Sequence, residues 1–104
     1  MRKKAEVPDL PINQYTTEDV QDYTGRIVVL RRSSLREPFA SGDRRLYVTG
    51  GFGAKAGRIG NAVFGVLLVD GEEARWDRVD IQGMAVDQNH TEALNKVLRS
   101  WGKL

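Results

Sequence analysis

The mostly apolar stretch over residues 62–69, broken at Gly65 and closed by Asp70 and Gly71, constrains the fold more than any other feature of the chain. A stretch rich in valine and leucine suits a strand, and Asp-Gly supplies the positive φ angles that a two-residue type I′ hairpin turn requires. The return strand is then residues 72–76, with Val69 opposite Glu72, Leu67 opposite Ala74 and Gly65 opposite Trp76. One face of this hairpin carries Leu67, Val69, Ala74 and Trp76, and the small Gly65 leaves room for the indole.

Two more strands can be read upstream. Residues 26–32 are β-branched and apolar in the middle with cationic ends, and residues 44–49 have similar strand composition. Between them, Ser33, Ser34, Pro38, Ser41 and Gly42 predict an exposed loop. Downstream, Val79 and Ile81 alternate with Asp80 and Gln82, which gives another short strand or an extended turn ending at Gly83. Over residues 89–101, Leu94, Val97, Leu98 and Trp101 fall at i, i+3, i+4 and i+7 before Gly102, the pattern of an amphipathic helix. Thr16 as N-cap with Asp19 three residues on, a Tyr15/Val20 staple and Gly25 as stop predict a short helix over 17–24. Pro8, Pro11 and the early cations make residues 1–14 a flexible N-terminal arm, leaving 15–104 as a single α+β domain. The expected fold is thus a small antiparallel sheet of three to four strands, with the C-terminal helix packed on the hairpin face and a short N-terminal helix.

With 104 residues the chain is sized for one domain, which at this length buries roughly 60–70% of its extended-chain surface. It has no cysteine, so disulfides and thiolate metal sites are excluded and a reducing cytoplasm is compatible. The longest apolar run, 66–69, is far short of the ~20 residues of a membrane span, and no apolar stretch of signal-peptide type follows the first cations. The expectation is a cytoplasmic protein with no membrane contact. The net charge of +2 is small but unevenly placed: residues 26–60 hold eight basic and two acidic side chains, and residues 61–88 hold two and six. A basic block therefore lies beside an acidic one.

The glycine-rich stretch 50–60 sits inside the basic block and suggests a phosphate cradle, since glycine lets backbone N–H groups approach an anion. Spacing removes the nucleotide motifs. No Gly-x-x-x-x-Gly-Lys followed by Ser or Thr occurs, and Gly51-x-Gly53 is followed by Gly57 where the dinucleotide fingerprint needs position 56. Two readings remain. Arg31, Arg32, Arg44, Arg45, Lys55 and Arg58 could contact phosphates while Tyr47 and Phe52 stack on bases. Alternatively, Phe52 plugs the core and the glycines only make turns. For catalysis, His90 stands alone, so a histidine acid/base pair or multi-histidine metal site is excluded. Asp70, Glu72, Glu73, Asp77 and Asp80 could hold a hard cation, but Asp70 is explained by its turn and Glu72 and Glu73 point to opposite faces of a strand. No metal, cofactor or catalytic residue is expected. The Arg75–Asp80 run, cations and carboxylates around Trp76, suits a structural corner that locks the return strand, with a recognition surface as the alternative.

The pattern Tyr47-x-x-Gly50-Gly51-Phe52-Gly53, Gly60-x-Ala62-Val63-Phe64-Gly65, Asp70-Gly71-Glu72 and Arg75-Trp76-x-Arg78-x-Asp80 resembles a group of small uncharacterised proteins of bacteriophages and other mobile elements. The resemblance spans residues 44–83 and departs at Asn61, where the group's pattern implies an arginine. It implies a phage or mobile-element accessory protein in the bacterial cytoplasm. The leading expectation is a non-enzymatic binding protein that contacts a protein partner, such as a host factor, through Arg31, Arg32, Arg44, Arg45, Tyr47, Phe52, Lys55 and Arg58. The alternative is nucleic-acid binding by the same residues. An open sheet also leaves an edge that a second copy could cover as a homodimer.

Overall fold

The computed structural model describes residues 9–57 and 59–103. It is an α+β fold built on one antiparallel sheet: β1 (Tyr15–Thr16), β2 (Ile27–Leu30), β3 (Arg45–Gly50), β4 (Ala62–Leu67), β5 (Glu73–Asp77) and β6 (Ile81–Ala85), followed by helix α1 (Thr91–Ser100). The strand order is β1-β6-β2-β3-β4-β5. The sheet therefore has six strands rather than three to four. The extra ones are a two-residue β1, too short to leave a periodic signal, and a β6 that runs through Gly83 to Ala85.

Every residue of β2 is fully buried, because both faces of the sheet are covered. On one face Val28, Leu30, Leu46, Val48, Val63, Leu67 and Ile81 pack with Ala54 and, less deeply, with Tyr23, Leu35 and Trp76. On the other, Ile27, Val29, Leu68 and Ala85 pack under Ala93 of α1, with Tyr15 and Tyr47 at the margin. The helix thus lies on the face opposite to the one carrying Leu67, Ala74 and Trp76, where the sequence placed it. It also turns Ala93 and Val97 inward and leaves Leu94 and Trp101 exposed. Small Ala93 lets the helix approach the sheet more closely than leucine would.

The hairpin differs from expectation in its turn. Leu67 and Glu72 close a four-residue loop in which Gly71 donates to the Leu67 carbonyl (2.8 Å) and takes φ +74°, while among the described residues no non-glycine residue has positive φ. A type I′ turn would need Asp70 at positive φ as well. The register is accordingly Val63 opposite Trp76 and Gly65 opposite Ala74, a slip of two residues that leaves each side chain on its expected face. The helix expected over 17–24 does not form. Eight residues with two apolar side chains cannot sustain an isolated helix. Instead the backbone pairs outward: Tyr23 donates to Ala54 (2.9 Å) and Ala56 to Gln21 (2.7 Å).

Of the arm expected over 1–14, residues 1–8 lie outside the described ones. Beyond them a 3₁₀ turn, Pro11–Asn13, carries the buried Asn13. Its amide donates to Gly42 (2.8 Å) and its carbonyl accepts from the Arg44 backbone (2.9 Å).

Gln88 performs a similar service between the sheet and α1. Its Oε1 accepts from the Ile27 N–H (2.8 Å), and its Nε2 donates to the carbonyls of Ile27 (2.7 Å) and Ala85 (2.6 Å). Replacing it by leucine leaves the N–H of the fully buried Ile27 without a partner. Gln88→Leu should therefore lose about 1–3 kcal/mol of stability by urea unfolding, with the m-value unchanged.

Candidate binding surface

The chain leaves β3 at Gly50 and enters a 3₁₀ turn, Phe52–Ala54. Ala54, not Phe52, anchors this turn in the core: Ala54 is fully buried and Phe52 is 64% exposed. Gly53 lies so close to the Asn61 and Ala62 backbone that a Cβ there would run into the Asn61 carbonyl. Position 53 therefore takes no side chain while the turn packs against the backbone leading into β4.

Arg78 fixes the turn from the far side of the hairpin. Its guanidinium donates to the carbonyls of Gly53 (2.8 Å) and Val20 (3.2 Å) and lies 5.0 Å from the centre of the Tyr23 ring. Asp77 and Asp80 form a reciprocal capping box around the same corner. One arginine thus ties together the 17–24 segment, the glycine-rich turn and the end of β5.

On the outer side of this platform a groove of about 490 Å³ runs between Thr24, Thr49, Phe52, Lys55, Ala62 and Phe64. A second hollow of about 250 Å³ continues it across Thr49, Phe64, Glu73 and Arg75. Phe64 is 47% exposed, and Ile59, on the loop that leads into β4, is 97% exposed. Phe64 alternates with Val63 of the opposite layer and so lies on the helix side of the sheet, where that part of the face is uncovered. The groove combines two aromatic rings, threonine hydroxyls and an ammonium at its rim. Such a set suits recognition of a partly apolar surface.

The cations named from the sequence do not converge on this groove. Arg44 and Arg45 point to opposite sides of the chain and both turn inward. Arg44, 1% exposed, donates to Asp9 (3.0 Å), whose other carboxylate oxygen takes Arg32 at 3.0 Å. Arg45 grips Asp43 through Nε (2.9 Å) and a terminal nitrogen (2.8 Å) and stands 3.8 Å from Glu92. The bond to Asp43 raises its pKa further against the opposing effect of burial. Arg31 donates to the Val79 carbonyl (2.9 Å). Tyr47 belongs to the helix side, edge-on to His90 at 5.9 Å. Lys55 is exposed and bridges by its backbone to Asp22; Arg58 lies outside the described residues. Of the eight, Phe52 and Lys55 line the groove.

Sequence reasoning missed Phe64, Ile59 and Arg75. The exposure of Phe64 and Arg75 depends on which part of the sheet the helix covers, and strand periodicity does not report that. Among the described residues no three His, Asp or Glu side chains are grouped as metal ligands, and no helix is long and apolar enough to cross a membrane. Compared with protein-family models, curated proteins and solved structures, the chain matches none.

Two outcomes follow from the anchoring contacts. Arg78→Met should raise amide exchange over residues 51–55 while the β2 amides stay protected, because the lost bonds hold the turn and not the sheet; uniform deprotection would contradict this. Asp22 accepts the Thr24 N–H at 2.9 Å, and this backbone bond holds its carboxyl below its ordinary pKa. A lowered folded-state pKa gives a contribution present above the ordinary carboxylate range and lost as pH falls through the lowered value. Exchange of the Thr24 amide, followed by NMR against pH, should accelerate in that acid window and be insensitive to pH in Asp22→Asn beyond the intrinsic rate.

Proposed function

We propose that this protein is a non-enzymatic binding module that docks a protein partner through the glycine-rich groove. The observation that carries this reading is the exposure of Phe52 and Phe64 along one groove, Phe52 on a turn that Arg78 ties to the sheet and Phe64 within β4. Large aromatic side chains left in water at a fixed separation are costly for a monomer and are typical anchors of protein interfaces. Lys55 at the rim and Arg75 in the adjoining hollow favour a partner surface with acidic groups around an apolar centre. Its proposed setting, a phage or mobile-element accessory protein acting in the bacterial cytoplasm on a host factor, rests on the sequence resemblance of residues 44–83.

Nucleic-acid binding is the second reading. It is favoured by the same two rings, which could stack on bases, and weakened by the inward pairing of Arg44 and Arg45. That pairing removes phosphate contacts from the surface.

The test uses immobilised protein and bacterial lysate, with Phe52→Ala/Phe64→Ala as the lesion and Val79→Ser as a surface control. A partner held stoichiometrically by the wild type and the control should be lost by the double variant. Its dissociation constant should rise at least about thirtyfold, as expected for removing central aromatic anchors. Equal capture by all three removes the groove from the interface. Tight binding of single-stranded oligonucleotides by fluorescence anisotropy, with a steep salt dependence, would replace the protein-partner reading with the nucleic-acid one.

A further inference from the structure

The outer edge of β5 points to a second copy of this chain as its partner. The hydrogen-bond phase of the hairpin is fixed at both ends: Leu67 donates to Glu72 (3.0 Å) and Arg78 donates to Asn61 (2.8 Å). Alternation along an antiparallel ladder then turns the backbone groups of Glu72, Ala74, Trp76 and Arg78 toward β4. Those of Glu73, Arg75 and Asp77 turn away, where no further strand of the described residues lies. Asp77's N–H is already satisfied by the Asp80 carboxylate (2.8 Å). The open N–H groups at this edge are therefore those of Glu73 and Arg75.

Three two-fold arrangements would align these outward groups in an antiparallel pair. One centred on Arg75 sets arginine against arginine and Glu73 against Asp77, like charges directly opposite. One centred on Trp76 needs the Asp77 N–H that Asp80 holds. The third, centred on Ala74, pairs Glu73 of each protomer with Arg75 of the other, uses both open N–H groups twice over, and sets opposite charges face to face. At its axis stands alanine, in a non-hydrogen-bonded pair where side chains approach most closely.

Two further observations agree with this arrangement. Arg75 is exposed and has no hydrogen bond or ion pair among the described residues. Trp101 is 57% exposed yet held at the edge by its indole N–H on the Glu73 carboxylate (3.1 Å). In the pair it lies beside the partner's arginine, a cation–π position.

We infer that the protein forms a two-fold dimer by antiparallel pairing of β5 about Ala74, joining both sheets into one and placing both helices and both grooves on the same face. The inference is separate from the groove's role: a monomer would leave the groove reading intact. One strand pair with flanking tryptophans is a small interface, so the dimer is concentration-dependent.

Sedimentation velocity over a dilution series at low salt should show reversible doubling of mass. Glu73→Arg and Arg75→Glu should each weaken the dimer about tenfold, from two like-charge contacts in place of two opposite ones. The double exchange, Glu73→Arg with Arg75→Glu, should recover to within about threefold of the wild type, since it restores both pairs in reverse. In this cysteine-free chain, Ala74→Cys should also oxidise to a disulfide-linked dimer faster than Glu72→Cys or Asp77→Cys, because it alone sits on the axis at bridging distance. A wild type monomeric at every concentration overturns the inference, as does a dimer indifferent to the single reversals or not recovered by the double one. Pairing of a foreign peptide strand with a monomeric wild type would assign the edge to another partner and overturn it as well.

Discussion

The structure depends on β2 being buried on both faces. A four-residue strand with every side chain removed from water requires cover above and below, and the described residues hold one α-helix to supply it. The helix covers Ile27 and Val29. The cover for Val28 and Leu30 comes from non-helical backbone: the 17–24 segment with Tyr23, Leu35 from the loop after β2, and the turn that inserts Ala54. Irregular backbone can serve as a core layer only if its polar groups find partners. That requirement explains why Arg78 reaches the Gly53 and Val20 carbonyls and why Asn13 and Gln88 replace missing ladder partners.

The same requirement redirects the charge. A block of eight basic residues suggests a polyanion-binding surface, but two of them serve inside the fold. Arg44 sits at the end of the core beside a backbone that Asn13 ties down, and Arg45 fastens the start of β3 to Asp43 and the first turn of α1. Asp9 bridges Arg32 and Arg44 and so binds the N-terminal segment to the loop after β2. The acidic residues adjoining the basic block in sequence, Asp77 and Asp80, are spent on a cap and on the Ser34 hydroxyl. What remains outside is a sparse mixture of signs with aromatic rings among them, closer to the composition of a protein interface than to that of a nucleic-acid channel.

The surface takes its character from what α1 leaves uncovered. The helix packs Ala93 with Ile27, Val29, Leu68 and Ala85 and brings Trp101 to Glu73 of β5, but leaves Phe64, Thr49 and Arg75 in the open. Groove and sheet edge adjoin each other at Glu73 and Arg75: the groove is open because α1 does not cover it, and the edge because no strand of the described residues pairs beyond β5.

Much of the framework was legible in the residues themselves. The β2, β3, β4 and β5 segments and the C-terminal helix follow from hydrophobic period and from Asp70, Gly71 and Gly102, since these signals are local and short-ranged. The two-residue slip of the hairpin left its faces correct because side chains repeat with period two. Tertiary contacts decided the rest. They melted the 17–24 helix, whose backbone found better partners in the glycine-rich turn. They rotated α1 onto Ala93 and placed it on the opposite face of the sheet, because that face exposed Ile27, Val29 and Leu68 to be covered. They also turned Arg44 and Arg45 inward and Phe52 outward. A sequence specifies which residues alternate and where the chain can turn; which face is covered, and how far, depends on the lengths and positions of all the elements together, and that decides which side chains are left for a partner.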